Sequence, residues 1–507
     1  MTMLYSSQGT IRFPIAVGQT LIVQNISGVE TVSGSSASRE DASARFGSGY
    51  FVYGPQSSAG TIQLSTTGQL DYQLVVGDAT PWNNFIPLSG SSSGVSAGGD
   101  LAAGSAAVAA ALGKSLYLGL VASRTGASGS FTGANKNWKM STLHTATVPI
   151  AAMKVRDSNW WLSNGVETAT GSTMQVKRWV EYPIGSTPQP LLYGGAAVGT
   201  CLSGSDIETD LTTLSTTIPQ GADFLLHQFG ATDNGFAYVD SQSGAATISG
   251  GSSYFPYNGE RFGIAADATI WSTGSITNEP CAAGADTLGT ASYTLMVRPT
   301  AIIGYTTRPS FAILGNSRDA GVKDTVSQRI GLIGHTERGI AKRFATTNQS
   351  GSGAQIAQLA TLSNWTKRKA IIDAYCTHVI LMDPINDFVS AATATAVITN
   401  VKTIIAALNK PTWLLTCAPK TTGTFADDAG QTIDATSNTE RTNWNNYVRY
   451  GIKESAGTID IARVLESTTT AGKWAANLTS DGLHANKAGN EAVERSGEFD
   501  QFTFMQF

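Results

Sequence analysis

The sequence predicts a multidomain chain in which all-β modules precede a C-terminal α/β domain with a parallel sheet. Three observations point there. The chain has 507 residues, more than one hydrophobic core holds, and domain sizes suggest about three units. Up to about residue 300, short strand-like segments alternate with Gly, Ser and Asn clusters. Beyond that point short apolar runs alternate with longer segments whose apolar residues recur at spacings of three and four, the pattern of strands and covering helices.

Residues 1–80 carry IRFPIAV, TLIVQNI, GYFVYG, TIQLST and LDYQLVV, which read as strands of a small β-rich attachment module. Residues 81–115 are rich in Gly, Ser and Ala and read as a linker, with an Ala-rich second half able to form a helix. Residues 116–305 again alternate strands with turns, and the scarcity of helical periodicity makes a β-sandwich or jelly roll the expected form. In residues 306–507 the strands are FAIL (311–314), VILM (379–382), TWLLTC (412–417) and TIDIA (458–462). Helices are expected over AQIAQLATLSNWTKRKAIIDAY, VSAATATAVITNVKTIIAAL and ERTNWNNYVRYGIKES. Ligands of such sheets bind beyond the carboxyl ends of the strands, and the polar blocks GNSRD, DPINDF, APKTTG and SDGLH fall there.

Composition excludes several classes. Charged residues are 14% of the chain and the net charge is −4 with no basic block, so the field that attracts a phosphate backbone is missing and no nucleic-acid partner is expected. Cys201, Cys281, Cys376 and Cys417 lack zinc-ligand spacing, so neither metal nor organic cofactor is expected. Cys376 and Cys417 read as reduced core residues, whereas Cys201 and Cys281 either pair or remain free and buried. The opening MTMLYSSQGTIRFPIAVG lacks the basic start and apolar stretch of a signal peptide, and no run has the length of a membrane span.

Two blocks carry chemistry. FAILGNSRD (311–319) supplies Ser317, and SDGLHANKAG (480–489) supplies Asp481 and His484. A serine hydroxyl becomes a nucleophile only with a base in reach, and the base needs an orienting acceptor. The D-x-x-H spacing presents carboxylate and imidazole on one side of a turn, which Gly482 eases. Fixed N–H donors aimed at the attacked carbonyl complete an acyl-transfer site.

These blocks resemble those of the SGNH (GDSL-like) hydrolases over about residues 306–507. The nucleophile block is GNSRD, the second is TTNQSGSGA (346–354), the third is PIND (384–387) and the last is DGLH. The resemblance implies a flavodoxin-like α/β fold and a catalytic triad of Ser317, Asp481 and His484. It also implies an oxyanion hole from Ser317 N–H, Gly353 N–H, with Gly351 the alternative, and the Asn386 side chain. Asn316 stands where the family usually has Asp, and Pro384 where it usually has Gly. Asp319 is read as capping a helix after Ser317 rather than as catalytic. His144, His227, His335 and His378 lack suggestive acidic neighbours. Trp138, Trp160, Trp161 and Trp179 read first as core, but NWWLSNG (159–165) makes Trp160 and Trp161 candidates for stacking on a sugar.

The first 80 residues, with GTIRFPIAVGQTLIVQNISG and FGSGYFVYGP, resemble small β-modules at the start of phage tail-associated proteins. Together the resemblances imply a phage virion-associated, tail fibre- or spike-like esterase. It would deacetylate an O-acetylated polysaccharide at the host surface, with other virion proteins as partners and a homotrimer as its assembly. Two alternatives are a receptor-binding or particle-decoration protein that reuses the fold without catalysis, and a lipase or thioesterase.

Overall fold

A computed structural model describes residues 116–134, 136–240, 295–324, 332–451 and 454–504, with the backbone of seven strands within 9–76 and of a strand at 261–265. The linker read over 81–115 and Cys281 lie outside the described residues. The chain divides into two compact units, 1–115 with 502–507, and 116–501. In the first unit Gly9–Ile15, Gly60–Thr66 and Glu30–Ser33 form one antiparallel sheet. Arg39–Asp41, Tyr50–Tyr53, Gln19–Asn25 and Leu70–Val76 form a second.

The second unit is layered. Its parallel sheet comprises β1 (Thr125–Gly126), β2 (Ser310–Leu314), β3 (Ala345–Asn348), β4 (His378–Leu381), β5 (Thr412–Leu415) and β6 (Gly457–Ile459), in the spatial order β6-β5-β4-β2-β3-β1. Without β1 the order is 2-1-3-4-5, that of a flavodoxin-like sheet. The described helices are α1 (His335–Ile340), α2 (Ile356–Leu359), α3 (Thr366–Tyr375), α4 (Ile385–Val389), α5 (Ala394–Leu408), α6 (Ala435–Tyr450), α7 (Ile461–Leu465) and α8 (Lys487–Arg495). In α5 the buried residues Val397, Val401, Ile404 and Leu408 form a stripe at helical spacing against the sheet. The helix expected over 354–375 is instead α2, a 3-10 turn at Leu362–Asn364, and α3. The break has a cause outside the segment. Glu167, from the β-rich part, accepts from the Lys367 and Arg368 N–H groups at 2.9 and 2.7 Å and starts α3 afresh.

Ahead of β2, two antiparallel sheets face each other. One contains Gln189–Leu191, Met174–Glu181, Asp223–Thr232, Asn137–Thr145 and Arg261–Ala265, and the other Asp206–Glu208, Ile150–Ser158, Ala301–Thr306 and Tyr117–Leu120. Met153, Val155 and Ile302 of the second sheet pack with Val180, Phe224 and Leu226 of the first. Strand alternation sends Ala301 and Ile303 to the other face. There, with Leu120, Trp160 and Leu162, they join the core containing Ile371, Ile372 and Leu381 of the α/β part. Residues 116–305 and 306–507 were read from the sequence as two modules, but as far as residue 501 they share a core and lie within one unit. β1, contributed by the β-rich part, extends the parallel sheet at its β3 edge.

Candidate active site

β2 and β4 are neighbours, and the chain leaves them for opposite sides of the sheet, so their carboxyl ends open a crevice. Ser317 stands beyond the carboxyl end of β2, in a turn that begins two residues after the strand. That turn is closed by Ala320 N–H to Asn316 O at 2.9 Å and Val322 N–H to Ser317 O at 3.0 Å. Across it, the loop leading to α8 brings His484 Nε2 to 2.9 Å from Ser317 Oγ, while His484 Nδ1 lies 2.8 Å from Asp481 Oδ2. An ionised Asp481 accepts from Nδ1–H, which leaves Nε2 to accept from the serine hydroxyl. Burial raises the Asp481 carboxyl, but the bonds from His484 Nδ1 and from the His484 and Leu483 N–H groups outweigh it and hold the carboxyl well below the usual range. Gly482 has φ +73°, and a Cβ there would lie 1.9 Å from Thr421 O, so this turn requires glycine.

The expected oxyanion donors lie on the flanking loops. Gly351 N–H is already spent on Gly315 O at 3.1 Å, whereas the N–H groups of Ser317 and Gly353 have no acceptor among the described residues. Of the two glycines, Gly353 therefore keeps its donor. Asn386 Nδ2 donates to Ala354 O at 2.9 Å, which sets the side-chain amide beside the Ala354–Gln355 peptide, one residue beyond Gly353, and leaves its second N–H. Asp387 fixes that arrangement by accepting from the Ile356 and Ala357 N–H groups at the start of α2, at 2.8 and 3.0 Å.

Both departures from the family pattern have local accounts. Pro384 has φ −90°, so nothing at that position demands a left-handed glycine. Asn316 donates from Nδ2 to Asp383 O at 2.8 Å, with Asp383 Oδ1 at 3.4 Å, and its Oδ1 accepts from Arg318 N–H at 2.9 Å. A carboxylate at 316 would face the buried Asp383 carboxylate.

No protein-family model matches the chain, and no curated protein matches it. Solved structures similar to it include a lipolytic protein of the G-D-S-L family from Veillonella parvula, 14% identical with a TM-score of 0.27, the match covering 39% of this chain and 99% of that one. A psychrotrophic esterase from a Pseudoalteromonas species is 17% identical with a TM-score of 0.26, over 39% and 99% of the two chains. A GDSL-like lipase from Bacteroides thetaiotaomicron is 12% identical with a TM-score of 0.27, over 38% and 88%.

Several side chains depart from expectation. Trp160 is fully buried in the shared core and donates from Nε1 to Asp206 at 2.8 Å, so it presents no face to a sugar. Trp161, on the opposite face of its strand, is half-buried and stacks on Phe131 at 6.2 Å. Their hairpin turns through Asn164 and Gly165, both with positive φ. That turn packs on the Gly353 loop, because a Cβ on Gly165 would lie 2.7 Å from Ala354 Cα. Asp319 caps no helix among the described residues. Its buried carboxylate accepts from Asn316 N–H at 3.3 Å and from the Thr336 hydroxyl at 2.5 Å, bracing the nucleophile turn. Cys201 is a free buried thiol, pushed up to about 12 by burial.

Arg318 was not singled out in the sequence. Its buried guanidinium donates to Asp383 at 2.9 Å, Ala418 O at 3.2 Å, Pro419 O at 2.9 Å and, through Nε, Leu483 O at 2.9 Å, next to His484. One side chain thus ties together the nucleophile turn, the β4 loop, the β5 loop and the histidine loop. Its signal was a charge beside the nucleophile in a chain poor in charge. A second Ser–His–carboxylate chain, Ser141–His227–Glu181 with 2.7 Å links, lies in the β-rich part. Ser141 is 0% exposed against 7% for Ser317, so burial shuts substrate from it.

Proposed function

We propose that the chain is a serine ester hydrolase of the SGNH type, carried on a phage particle and removing O-acetyl groups from a polysaccharide at the host surface. The observation that carries the catalytic reading is the continuous chain from Ser317 Oγ through His484 to Asp481, at 2.9 and 2.8 Å. In this reading His484 Nε2 takes the hydroxyl proton as Ser317 Oγ attacks the acetyl carbonyl. The Ser317 and Gly353 N–H groups and Asn386 Nδ2 receive the oxyanion. Protonated His484 then gives its proton to the departing sugar oxygen. Water, deprotonated by His484, hydrolyses the acyl-enzyme and releases acetate. The attachment role on the particle rests on the resemblance of the first 80 residues to small β-modules of phage tail-associated proteins.

The test is acetate release from O-acetylated bacterial glycans and from a panel of short- and long-chain esters. The parent releases acetate and prefers short acyl groups. Ser317→Ala keeps the fold and loses at least about 10³-fold in rate. Equal release by parent and variant would falsify the catalytic assignment, and preference for long acyl chains would replace the acetylesterase with a lipase or thioesterase. Binding to host cells without turnover would leave a receptor-binding protein.

A further inference from the structure

A cavity of about 310 Å³ opens at the junction of the β-rich and α/β parts, and none of Ser317, His484 or Asp481 lines it. Among the described residues its wall contains four cationic side chains, Arg124, Arg308, Lys342 and Arg343, and no carboxylate. Three of the four answer to a carboxylate outside the wall. Lys342 pairs with Glu494, Arg343 with Asp500, and Arg124 acts on the buried Glu337. Arg308 has no such partner among the described residues. Its guanidinium donates only to the carbonyl oxygens of Thr147 and Arg343, at 3.2 and 3.0 Å, and lies over the Phe344 ring. Burial alone lowers its pKa, with no neighbouring anion to oppose the shift. A desolvated guanidinium without a counter-ion is costly, and a bound oxyanion removes that cost. Arg also offers the planar fork that fits a carboxylate or phosphate. Thr145 and Thr147, which line the same wall, spend their hydroxyl protons on Asp223 and Val121 O and keep oxygen lone pairs for ligand hydroxyls.

We infer that this cavity binds an anionic saccharide unit, one sugar ring bearing a carboxylate or a phosphate. The volume is at the lower end of small-molecule sites, enough for a single ring rather than an oligosaccharide. The inference does not depend on Ser317 hydrolysing an ester.

The test is calorimetric titration of the full chain with glucuronate, glucose 6-phosphate, glucose and inorganic phosphate, at low and high salt. At least one acidic sugar binds, glucose does not compete, and affinity falls as salt screens the charges. Arg308→Met and Lys342→Glu each weaken binding about tenfold or more, and Ser317→Ala leaves it unchanged. Arg308 also bridges two carbonyls, so Lys342→Glu, at a partly exposed position, decides the matter if Arg308→Met does not fold. Absence of binding by both acidic sugars, equal affinity for glucose, or full affinity in Lys342→Glu overturns the site. Inorganic phosphate binding as tightly as glucose 6-phosphate overturns the saccharide assignment.

Discussion

Arg318 acts through the loop that carries His484 rather than on a substrate, and a substitution that keeps its charge exposes that role. Arg318→Lys retains a cation beside Asp383 but cannot reach Leu483 O, Ala418 O and Pro419 O together, because the ammonium lacks the guanidinium fork. The expected result is a folded protein whose kcat falls by about 10-fold to 100-fold with little change in KM, since a small displacement of the base weakens catalysis more than binding. Ester kinetics beside a thermal melt check it, and a fall in KM affinity alone would assign Arg318 to binding. Asn316→Asp tests the other account. Placing a second carboxylate by Asp383, with Arg318 left to serve both, is expected to cost about 3 kcal/mol, read from urea unfolding. An unchanged midpoint would mean that Asn316 is not fitted to Asp383. Ser317, His484 and Asp481 were legible in the sequence because the chemistry admits few residue types and two of them sit three apart. Arg318 was not, because its acceptors come from positions 383, 418, 419 and 483, which only the fold brings together. Trp160 misled because a paired tryptophan flanked by Asn and Ser looks exposed, while strand alternation buries one of the two.

At the scale of elements, caps decide where helices start, and these differ in how far sequence reveals them. Asp434 begins α6 from within its own segment, accepting from Ser437 N–H at 2.9 Å and from Lys420 Nζ at 2.9 Å. The Ser437 backbone and hydroxyl bonds and Lys420 lower its carboxyl from the ordinary 3.8 to about 2. A carboxyl depressed in the folded state stabilises fully above its unfolded value and loses that contribution as pH falls through the folded value. Asp434→Ala is therefore expected to be less stable than the parent by about 1 kcal/mol near neutrality, with the gap narrowing as pH falls from about 4 towards about 2. Parallel melts across that range measure it. A gap that widens on acidification would sink the capping account. The start of α3 was not legible for the opposite reason, because its acceptor is Glu167, about 200 residues away. The periodicity of 354–375 was real, yet a remote carboxylate and the Leu362–Asn364 turn divided it. Four of the parallel strands were legible as apolar runs between helices, whereas β3, Ala-Thr-Thr-Asn, is not an apolar run and β1 is two residues long and carries no pattern at all.

At the scale of the whole unit, the shared core predicts that the hydrolase-like segment does not stand alone. Residues 306–501 contain Ser317, His484 and Asp481, the expected oxyanion donors and five of the six parallel strands, so by sequence they look self-sufficient. Their helix α3 nevertheless packs against the sheet that contains Ala301–Thr306. Leu120, Trp160, Leu162 and Ile303 are 0–1% exposed in the same core as Ile371, Ile372 and Leu381. Deleting everything before residue 306 removes those four large side chains. At about 1.5–3 kcal/mol each, that is comparable with the whole net stability of a domain, about 5–15 kcal/mol. It also removes the Glu167 cap from α3, strips β1 from the edge of β3, and breaks the link of Tyr375 to Lys154 and Glu208 at 2.8 and 2.7 Å. The boundary at 305/306 was misleading because the sheet spanning it is buried on both faces, and alternation cannot say which neighbour each face meets. A fragment of 306–507 is thus expected to be aggregated or to melt without cooperativity, while 116–507 melts as one transition and retains whatever esterase activity the full chain has. Near-ultraviolet circular dichroism and limited proteolysis of the two fragments decide the point. A 306–507 fragment that melts cooperatively near the parent temperature would show that the β-rich part rests on the α/β part without holding it up.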